Sequence, residues 1–128
     1  MEIKFFKCIH CANILIPAVY SGITPACCGD PMELLKAGTS DGAAEKHVPV
    51  IEREEDGHHV TIRVGSVPHP MTDEHYIQFV VITQGSRFYC HEFAEESEAV
   101  TRFSFKDNSL PIAAYEFCNL HGLWKAEV

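Results

Sequence analysis

Hydrophobic and polar residues alternate along most of the chain after residue 45. Val60, Ile62 and Val64 fall on one side of a stretch with a period of two residues. Thr61 and Arg63 fall between them, as expected of a strand with one buried face. Similar patterns predict further strands at residues 46–54, 76–83, 87–92, 99–105, 112–117 and 123–128. No segment keeps the 3.6-residue period of a helix, so the chain is predicted to be mainly β.

Turn-forming residues separate the predicted strands. Asp56-Gly57 lies between two of them and is a typical hairpin signal. Two more turns are predicted at Gln84-Gly85-Ser86 and Lys106-Asp107-Asn108-Ser109. Seven short strands joined by such turns predict an antiparallel β-sandwich.

The first 36 residues differ in character from the rest. Residues 1–35 hold four of the six cysteines, whereas residues 43–128 hold seven of the eight histidines. Residues 36–42 between them have the composition of a linker, Lys-Ala-Gly-Thr-Ser-Asp-Gly. We therefore predict two domains, 1–36 and 37–128. Because a domain below about 40 residues usually needs a metal, disulfides or a partner chain, the first one is expected to need such help.

Composition and charge exclude several classes of protein. The net charge of −8 argues against a nucleic-acid partner, because nucleic-acid-binding proteins present a basic patch. No apolar run approaches the roughly 20 residues that span a membrane. The first seven residues lack the apolar segment of a signal peptide, so we expect a cytoplasmic protein with reduced thiols. Clustered cysteines then indicate metal binding or catalysis rather than disulfides.

Four cysteines form the first candidate site. Cys8 and Cys11 make a C-x2-C pair, and the adjacent Cys27 and Cys28 follow later. Four thiolates make a tetrahedral site for zinc or iron. Neighbouring side chains in a strand point to opposite faces, so an adjacent pair can share one ion only if the backbone bends, which Gly29 can allow. The adjacency favours iron, because a zinc ribbon normally uses C-x2-C on both sides.

Four histidines and a cysteine form the second candidate site: His47, His69, His75, Cys118 and His121. Cys118 and His121 lie three residues apart across a predicted turn and can face one ion, whereas the fold must bring in the other three. A single histidine is usually an ordinary surface or core residue, and we assign the remaining four to that class: His10, His58, His59 and His91. Cys90, inside a predicted strand, is interpreted as a small buried residue.

Together, these residues resemble the desulfoferrodoxin family, the two-iron class of superoxide reductases. The matching segments are Cys8-x2-Cys11, Cys27-Cys28-Gly29, Glu45-Lys46-His47, His69-Pro70 with His75, and Cys118-Asn119-Leu120-His121-Gly122-Leu123-Trp124. They cover nearly the whole chain in the family's order. The adjacent cysteine pair and the C-N-x-H-G-x-W segment are the most specific of them.

The resemblance implies a fold and two metal centres. The fold is a small rubredoxin-like or desulforedoxin-like domain followed by an immunoglobulin-like, seven-stranded antiparallel β-sandwich. The centres are an Fe(Cys)4 site in residues 1–36, where zinc can replace iron in recombinant protein, and a catalytic iron in residues 37–128. The ligands of the catalytic iron would be His47, His69, His75 and His121 in equatorial positions and Cys118 in the axial position.

The resemblance also implies the reaction, O2•− + 2H+ + e− giving H2O2, with electrons from an external donor such as rubredoxin, in a protein that commonly forms homodimers. Glu45 and Lys46 would lie in a mobile loop over the open position of the catalytic iron. Superoxide is an anion and the chain carries a net charge of −8, so we expect Lys46 to supply a local cation that attracts it. Glu45 offers a hard oxygen ligand, and we expect it to bind the oxidised iron.

Other classes of function remain open at this point. A copper electron-transfer protein also places His and Cys ligands on a β-sandwich, but such sites usually take a Met shortly after the last His, and here Leu123 and Trp124 follow. A non-enzymatic zinc-ribbon binding module explains the four cysteines and leaves the histidine set without a purpose. A cysteine hydrolase using Cys118 would need an oxyanion hole, for which no residues are evident.

Overall fold

A computed structural model describes residues 2–39, 42–94 and 98–128. It forms two compact units, Glu2–Lys36 and Ala37–Val128. Within the described residues there is one helix, of four residues, so the fold is mainly β, as the alternation predicted. No helix in the described ranges has the length and apolar character needed to cross a membrane. Ser40 and Asp41 of the predicted linker lie outside the described residues.

The unit Glu2–Lys36 is built from very short antiparallel strands. These are β1 (Phe6–Lys7), β2 (Ile14–Leu15), β3 (Ala26–Cys27), β4 (Asp30–Pro31) and β5 (Glu33–Leu34). They form a three-stranded sheet in the order β2-β1-β5 and a two-stranded sheet of β3 and β4. One buried cluster joins Phe6, Cys8 and Met32. Strands of two residues around so small a core bury little apolar surface, so the fold of this unit needs a further source of stability.

The unit Ala37–Val128 is a sandwich of seven antiparallel strands in the described residues. Its elements are α1 (Ala44–His47), β6 (Pro49–Arg53), β7 (His59–Val64), β8 (Ile77–Gln84), β9 (Arg87–Glu92), β10 (Val100–Ser104), β11 (Ala113–Cys118) and β12 (Gly122–Glu127). One sheet has the order β10-β7-β6 and the other the order β12-β11-β8-β9. The predicted seven-stranded sandwich is confirmed.

The core of the sandwich follows the alternation read from the sequence. Val60, Ile62 and Val64 of β7 are buried, and Arg63 between them is exposed. They belong to one cluster with residues of β8 and β11: Ile77, Val80, Ile82, Ala114 and Cys118. The buried faces of the two sheets therefore meet in a single apolar layer, as in other sandwiches.

The strand predicted at residues 46–54 begins later than expected. Residues 44–47 form the single turn of α1, and β6 starts only at Pro49. A proline disfavours helical backbone in the residue before it, and Val48 accordingly has extended angles, φ −65° and ψ 121°. The helix therefore stops at His47. So short a turn has no periodicity that a sequence could reveal.

Strand ends bring the candidate ligands to one end of the sandwich. β6 begins where β7 ends, because Pro49 pairs with Val64. In the other sheet, Cys118 at the end of β11 pairs with Ile77 at the start of β8 and with Gly122 at the start of β12. His47 precedes β6, and the segment between β7 and β8 carries His69 and His75. The antiparallel topology therefore places all these positions at neighbouring strand ends.

Candidate metal centres

The four N-terminal cysteines come together in one cluster. The Sγ atoms of Cys8, Cys11, Cys27 and Cys28 all lie within 4.8 Å of one another. The Sγ atoms of Cys11 and Cys27 are 3.6 Å apart, and those of Cys27 and Cys28 are 3.9 Å apart. Corners of a tetrahedron with metal–sulfur bonds of about 2.3 Å are separated by about 3.8 Å. The spacing therefore fits one tetrahedrally bound ion.

The adjacent cysteines occupy a tight turn between β3 and β4. Cys27 pairs with Asp30, so Cys28 and Gly29 form a two-residue hairpin loop. Both have positive φ, 51° for Cys28 and 82° for Gly29. A type I′ turn requires positive φ at both central residues, which is uncommon for a residue other than glycine. The predicted bend exists, but it begins at Cys28 itself, one residue before Gly29.

Backbone N–H groups point at the sulfur of Cys8. The N–H groups of Cys11 and His10 donate to Cys8 Sγ at 3.4 and 3.3 Å. These bonds lower the pKa of the Cys8 thiol to about 6, whereas hydrogen bonding with Cys11 and Cys27 raises the pKa of Cys28 to about 12. Four thiols this close cannot all ionise unless a cation balances them. A bound metal ion supplies that cation.

Four imidazole rings of the second unit stand at the corners of a square. The ring centroids follow the order His47, His69, His75 and His121, with sides of 4.7, 4.6, 5.0 and 4.9 Å. The diagonal from His47 to His75 measures 6.4 Å. The structure thus brings together the three histidines whose meeting the sequence could not establish, and it adds His121 as their fourth corner.

Backbone carbonyls fix which nitrogen His47 and His69 present. Nδ1–H of His47 donates to Ala43 O at 2.8 Å, and Nδ1–H of His69 donates to Pro70 O at 2.6 Å. Their bare Nε2 atoms then face each other at 3.1 Å. His121 turns its Nδ1 inward, 3.2 Å from His47 Nε2. Neighbouring nitrogens of a square-planar set with bonds of about 2.1 Å are separated by about 3 Å, so these distances fit one shared ion.

Three of the four rings favour the neutral form that metal binding requires. Burial lowers the pKa of His69 to about 4 and also lowers the pKa values of His47 and His75. His75 Nε2 is buried without a hydrogen-bond partner among the described residues. An unpaired buried nitrogen carries a desolvation penalty that a metal ion would remove. This orphaned atom is direct structural support for a metal within the square.

Cys118 supplies a sulfur next to the square. It is fully buried, and its Sγ lies 3.9 Å from His121 Nδ1. The donor atoms of His47, His75, Cys118 and His121 all lie within 4.8 Å of one another. Burial raises the pKa of the Cys118 thiol, and the backbone N–H groups of Leu120 and His121 oppose that rise. A coordinating metal deprotonates such a thiol outright.

The turn that carries Glu45 and Lys46 is attached to the segment after β7. Val67 N–H donates to Glu45 O at 3.0 Å, and Ser66 Oγ donates to the same carbonyl at 3.2 Å. Gly65 allows this close approach, because a Cβ there would lie 2.6 Å from Lys46 O. The φ of Gly65 is also positive, 81°, which a side chain would strain.

The two predicted site residues on this turn differ in exposure. Lys46 is half-buried. Burial is the main cause of the lowered pKa values of His47 and His75, and the positive charge of Lys46 makes a smaller contribution in the same direction. Lys46 also directly precedes His47, one corner of the square, in the chain. The Glu45 side chain is exposed to solvent.

The motif segment contains two residues near the site whose roles the sequence did not indicate. Trp124 stacks on His47, and Asn119 bonds to both neighbours of His75. A third residue, Glu116, was passed over inside a predicted strand. It is fully buried two residues before Cys118, and burial raises its pKa to about 9. The sequence did contain a signal for this buried group, because Glu116 falls at a core-facing position of an otherwise apolar strand.

The residues assigned no metal role lie outside both clusters. His10 contacts Asp30 at 2.6 Å, and His58 donates through Nδ1 to Lys106 O at 3.0 Å. His59 contacts Asp56, and His91 stacks edge-on against Phe93. The interpretation of Cys90 as buried is wrong, because it is exposed on β9, an edge strand of its sheet.

Comparison with known proteins agrees with this geometry. A family model described as Desulfoferrodoxin matches residues 39–127. The chain is 45% identical over 127 residues to a desulfoferrodoxin of Nitratidesulfovibrio vulgaris, covering 98% of this chain and 97% of that protein. It is 34% identical to a superoxide reductase of Pyrococcus furiosus, covering 75% of this chain and 95% of that protein. The crystal structure of the superoxide reductase from Treponema pallidum superposes with a TM-score of 0.79 at 34% identity, covering 98% of this chain and 97% of that one. The chain belongs to the desulfoferrodoxin family.

Proposed function

We propose that this protein is a superoxide reductase, which reduces superoxide to hydrogen peroxide by O2•− + 2H+ + e− giving H2O2. The observation that carries the proposal is the square of four imidazoles with the thiol of Cys118 beside it. An iron ion held by these four imidazoles and one sulfur would be able to bind the substrate as a further ligand. Neither a zinc ribbon nor a copper site of the usual His2Cys type uses such a set.

The residues that hold the catalytic iron are proposed to be the four corners of the square and one sulfur: His47, His69, His75, His121 and Cys118. Imidazole nitrogen suits ferrous iron, and the thiolate of Cys118 would increase electron density at the metal, as in cysteine-ligated haem proteins. When bound, this iron supplies the electron and the open position that the reaction requires.

Lys46 is proposed to attract and orient the substrate. The protein carries a net charge of −8, which repels an anion such as superoxide. Lys46 is half-buried and directly precedes His47, so its charge can create a local positive potential that concentrates the anion at the site. The ammonium group of Lys46 can also orient water that delivers the two protons.

Glu45 is proposed to be a further ligand that would bind the iron in its oxidised state. Its carboxylate is a hard oxygen donor and sits one residue before Lys46 on α1. The Glu45 side chain is exposed to solvent and is not packed into the core. A Glu45→Ala variant should change the absorption spectrum of the ferric protein, with Glu2→Ala as a matched change of an exposed carboxylate in the other unit. An unchanged ferric spectrum would exclude this role for Glu45.

The N-terminal unit is proposed to be a desulforedoxin-like domain, residues 1–36, that holds a second iron through Cys8, Cys11, Cys27 and Cys28. Residues 37–128 form the superoxide reductase domain. Cys11 and Cys28 are exposed, which gives an external donor such as rubredoxin a short path to this iron.

The protein is further proposed to work as a homodimer in the cytoplasm, where it detoxifies superoxide. The small core of Glu2–Lys36 supports a dimer, because domains of this size often depend on a partner chain. Sedimentation velocity of the iron-loaded protein tests this directly. A monomer at micromolar concentration would exclude the dimer and leave the proposed reaction untouched.

Visible absorption of the iron-loaded protein tests the two centres. The spectrum is recorded after full reduction and after chemical oxidation. We expect one sulfur-to-ferric transition from the four-cysteine cluster and a second, from Cys118, that appears only on further oxidation. A Cys118→Ser variant should lose the second transition alone. If oxidation produced only the transition of the four-cysteine cluster, the sandwich would hold no thiolate-bound iron and the proposed function would fail.

A further inference from the structure

His75 is held differently from two other corners of the square. His47 and His69 are fixed by a ring N–H that donates to a backbone carbonyl. His75 lies between β7 and β8, outside the strands, and the bonds that hold it fall on the backbone. Thr72 binds both of its peptide groups: Thr72 Oγ1 accepts from His75 N–H at 3.1 Å, and Thr72 N–H donates to His75 O at 2.9 Å.

Asn119 binds the peptide groups on either side of His75. Its Oδ1 accepts from Tyr76 N–H at 2.9 Å, and its Nδ2 donates to Glu74 O at 2.9 Å. Its own backbone N–H donates to Tyr76 O at 3.2 Å. Because Asn119 directly follows Cys118, one residue joins the segment that carries an imidazole to the segment that carries the sulfur.

The hydrogen bonds of Asn119 lie directly beyond the end of the regular pairing between β11 and β8. The pairing of β11 with β8 shifts between Phe117 and Cys118, so that Cys118 lies opposite Ile77. In the described residues, Tyr76 and Asn119 lie just outside these strands, and buried or half-buried peptide groups there still need hydrogen-bond partners. The amide of Asn119 has both a donor and an acceptor, so it can satisfy a carbonyl and an N–H at the same time.

We propose that Asn119 is a positioning residue of the catalytic centre. It sets where His75 Nε2 stands relative to Cys118 Sγ, two of the groups that would hold the metal. Loss of a group that orients a metal ligand typically weakens metal binding or activity about 10-fold to 100-fold. The inference rests on the proposed function only for the identity of the metal, since the hydrogen bonds exist whatever reaction the protein performs.

Asn108 provides a matched control. It is a buried asparagine, whereas Asn119 is half-buried, and its Nδ2 donates to two carbonyls, Glu54 O and His59 O, both at 2.8 Å. These bonds join β6 to the start of β7, at the end of the sandwich away from the square. Asn108→Ala therefore removes a similar set of bonds without touching a ligand segment.

The experiment compares Asn119→Ala, Asn119→Asp and Asn108→Ala in the full-length protein. Each is loaded with iron, and three quantities are measured: the Cys118-to-iron absorption after oxidation, the affinity for ferrous iron under anaerobic competition with a chelator, and the thermal midpoint. The four-cysteine cluster is the same in all variants, so its absorption cancels in difference spectra. Hydrogen exchange at the Tyr76 amide reports the Asn119 bond without any metal.

We expect both alanine variants to have lower thermal midpoints. Of these two, Asn119→Ala alone should shift the sulfur-to-iron absorption and weaken ferrous binding about 10-fold. Asn119→Asp keeps the acceptor for Tyr76 N–H and loses the donor to Glu74 O, so its shift should be smaller. If Asn119→Ala does not fold, Asn119→Asp decides by the same criteria. An absorption and an affinity equal to those of the parent, with stability lost as in Asn108→Ala, would overturn the proposal. A parent protein that bound iron but left superoxide unreacted would refute the proposed function and leave this comparison valid.

Discussion

The indole of Trp124 stacks on the imidazole of His47, with ring centroids 5.0 Å apart and planes 23° apart. The Nε1–H of Trp124 also donates to His121 O at 3.0 Å. One side chain on β12 therefore contacts two adjacent corners of the square. Gly42 lies against this group, since a Cβ there would be 2.9 Å from the indole. Two of the candidate ligands, His47 and His121, are therefore supported by contacts with Trp124.

Two substitutions separate the contributions of Trp124. Trp124→Phe keeps a ring against His47 and loses the hydrogen bond, which should lower the free energy of unfolding by about 1 kcal/mol. Trp124→Leu also loses the ring pair, which should cost about 1 kcal/mol more. Urea unfolding of the iron-loaded protein measures both values. Equal losses in the two variants would mean that stacking on His47 contributes nothing.

Replacing Lys46 tests attraction of the substrate. We expect Lys46→Ala to slow the reaction with superoxide about 10-fold, because the local positive potential is lost, and to weaken its dependence on salt. Lys46→Arg, which keeps the charge, should retain most of the rate. Lys106→Ala removes an exposed lysine from the turn before β11 and serves as the control. Pulse radiolysis gives these rate constants, and a Lys46→Ala rate equal to that of Lys106→Ala would contradict the assigned role.

Removing the N-terminal metal should unfold one unit and spare the other. Glu2–Lys36 has strands of two residues and a small core, so binding free energy of the metal becomes its folding free energy. We expect Cys27→Ser to abolish metal binding at this cluster and to expose residues 2–36 to proteolysis. Cys90→Ser changes an exposed thiol outside both clusters and should have no such effect. Protease resistance of residues 2–36 in the Cys27→Ser protein would show that the unit folds without its metal.

The sequence predicted most of what depends on short-range pattern. The alternation at Val60, Ile62 and Val64 identified β7, and the spacing of cysteines identified the first cluster. The turn of α1 was missed because its end is set by Pro49, through a backbone restriction rather than a periodicity.

What the sequence could not show was contact between distant residues. His47 and His121 are separated by 74 positions, and only the pairing of strands brings their nitrogens within 3.2 Å. The hydrogen bonds of Asn119 with residues 74 and 76 lie next to a register shift between Phe117 and Cys118, and no local sequence pattern encodes that shift. The family resemblance supplied the ligand set, and the structure supplies the hydrogen bonds that hold it in place.

The ion pair of Arg102 and Glu54 should make the stability of the sandwich depend on pH. Arg102 donates two hydrogen bonds of 2.8 Å to the Glu54 carboxylate, which lower its pKa below the ordinary 4.5. Because the unfolded chain then binds the proton more readily, the stabilisation is complete above pH 4.5 and is lost as pH falls through the lower folded value.

Thermal midpoints measured across this pH range check the assignment. Arg102→Gln should lower the midpoint at neutral pH, and the difference from the parent should shrink in acid. Arg63→Gln removes the longer contact of Arg63 Nε with Glu52, 3.6 Å, and should show a smaller difference. A deficit of Arg102→Gln that stayed constant from neutral to acidic pH would exclude the ion pair as its cause.

The stoichiometry of peroxide formation tests the central claim most directly. The iron-loaded, fully reduced protein is exposed to a measured pulse of superoxide, and hydrogen peroxide, oxygen and the redox state of the iron are then determined. A superoxide reductase yields one peroxide for each superoxide consumed, releases no oxygen and leaves its iron oxidised. One peroxide with one oxygen for every two superoxide ions would indicate dismutation, and unreacted superoxide would indicate a protein that only binds metal. Either result would contradict the function proposed for the square of His47, His69, His75 and His121 with Cys118.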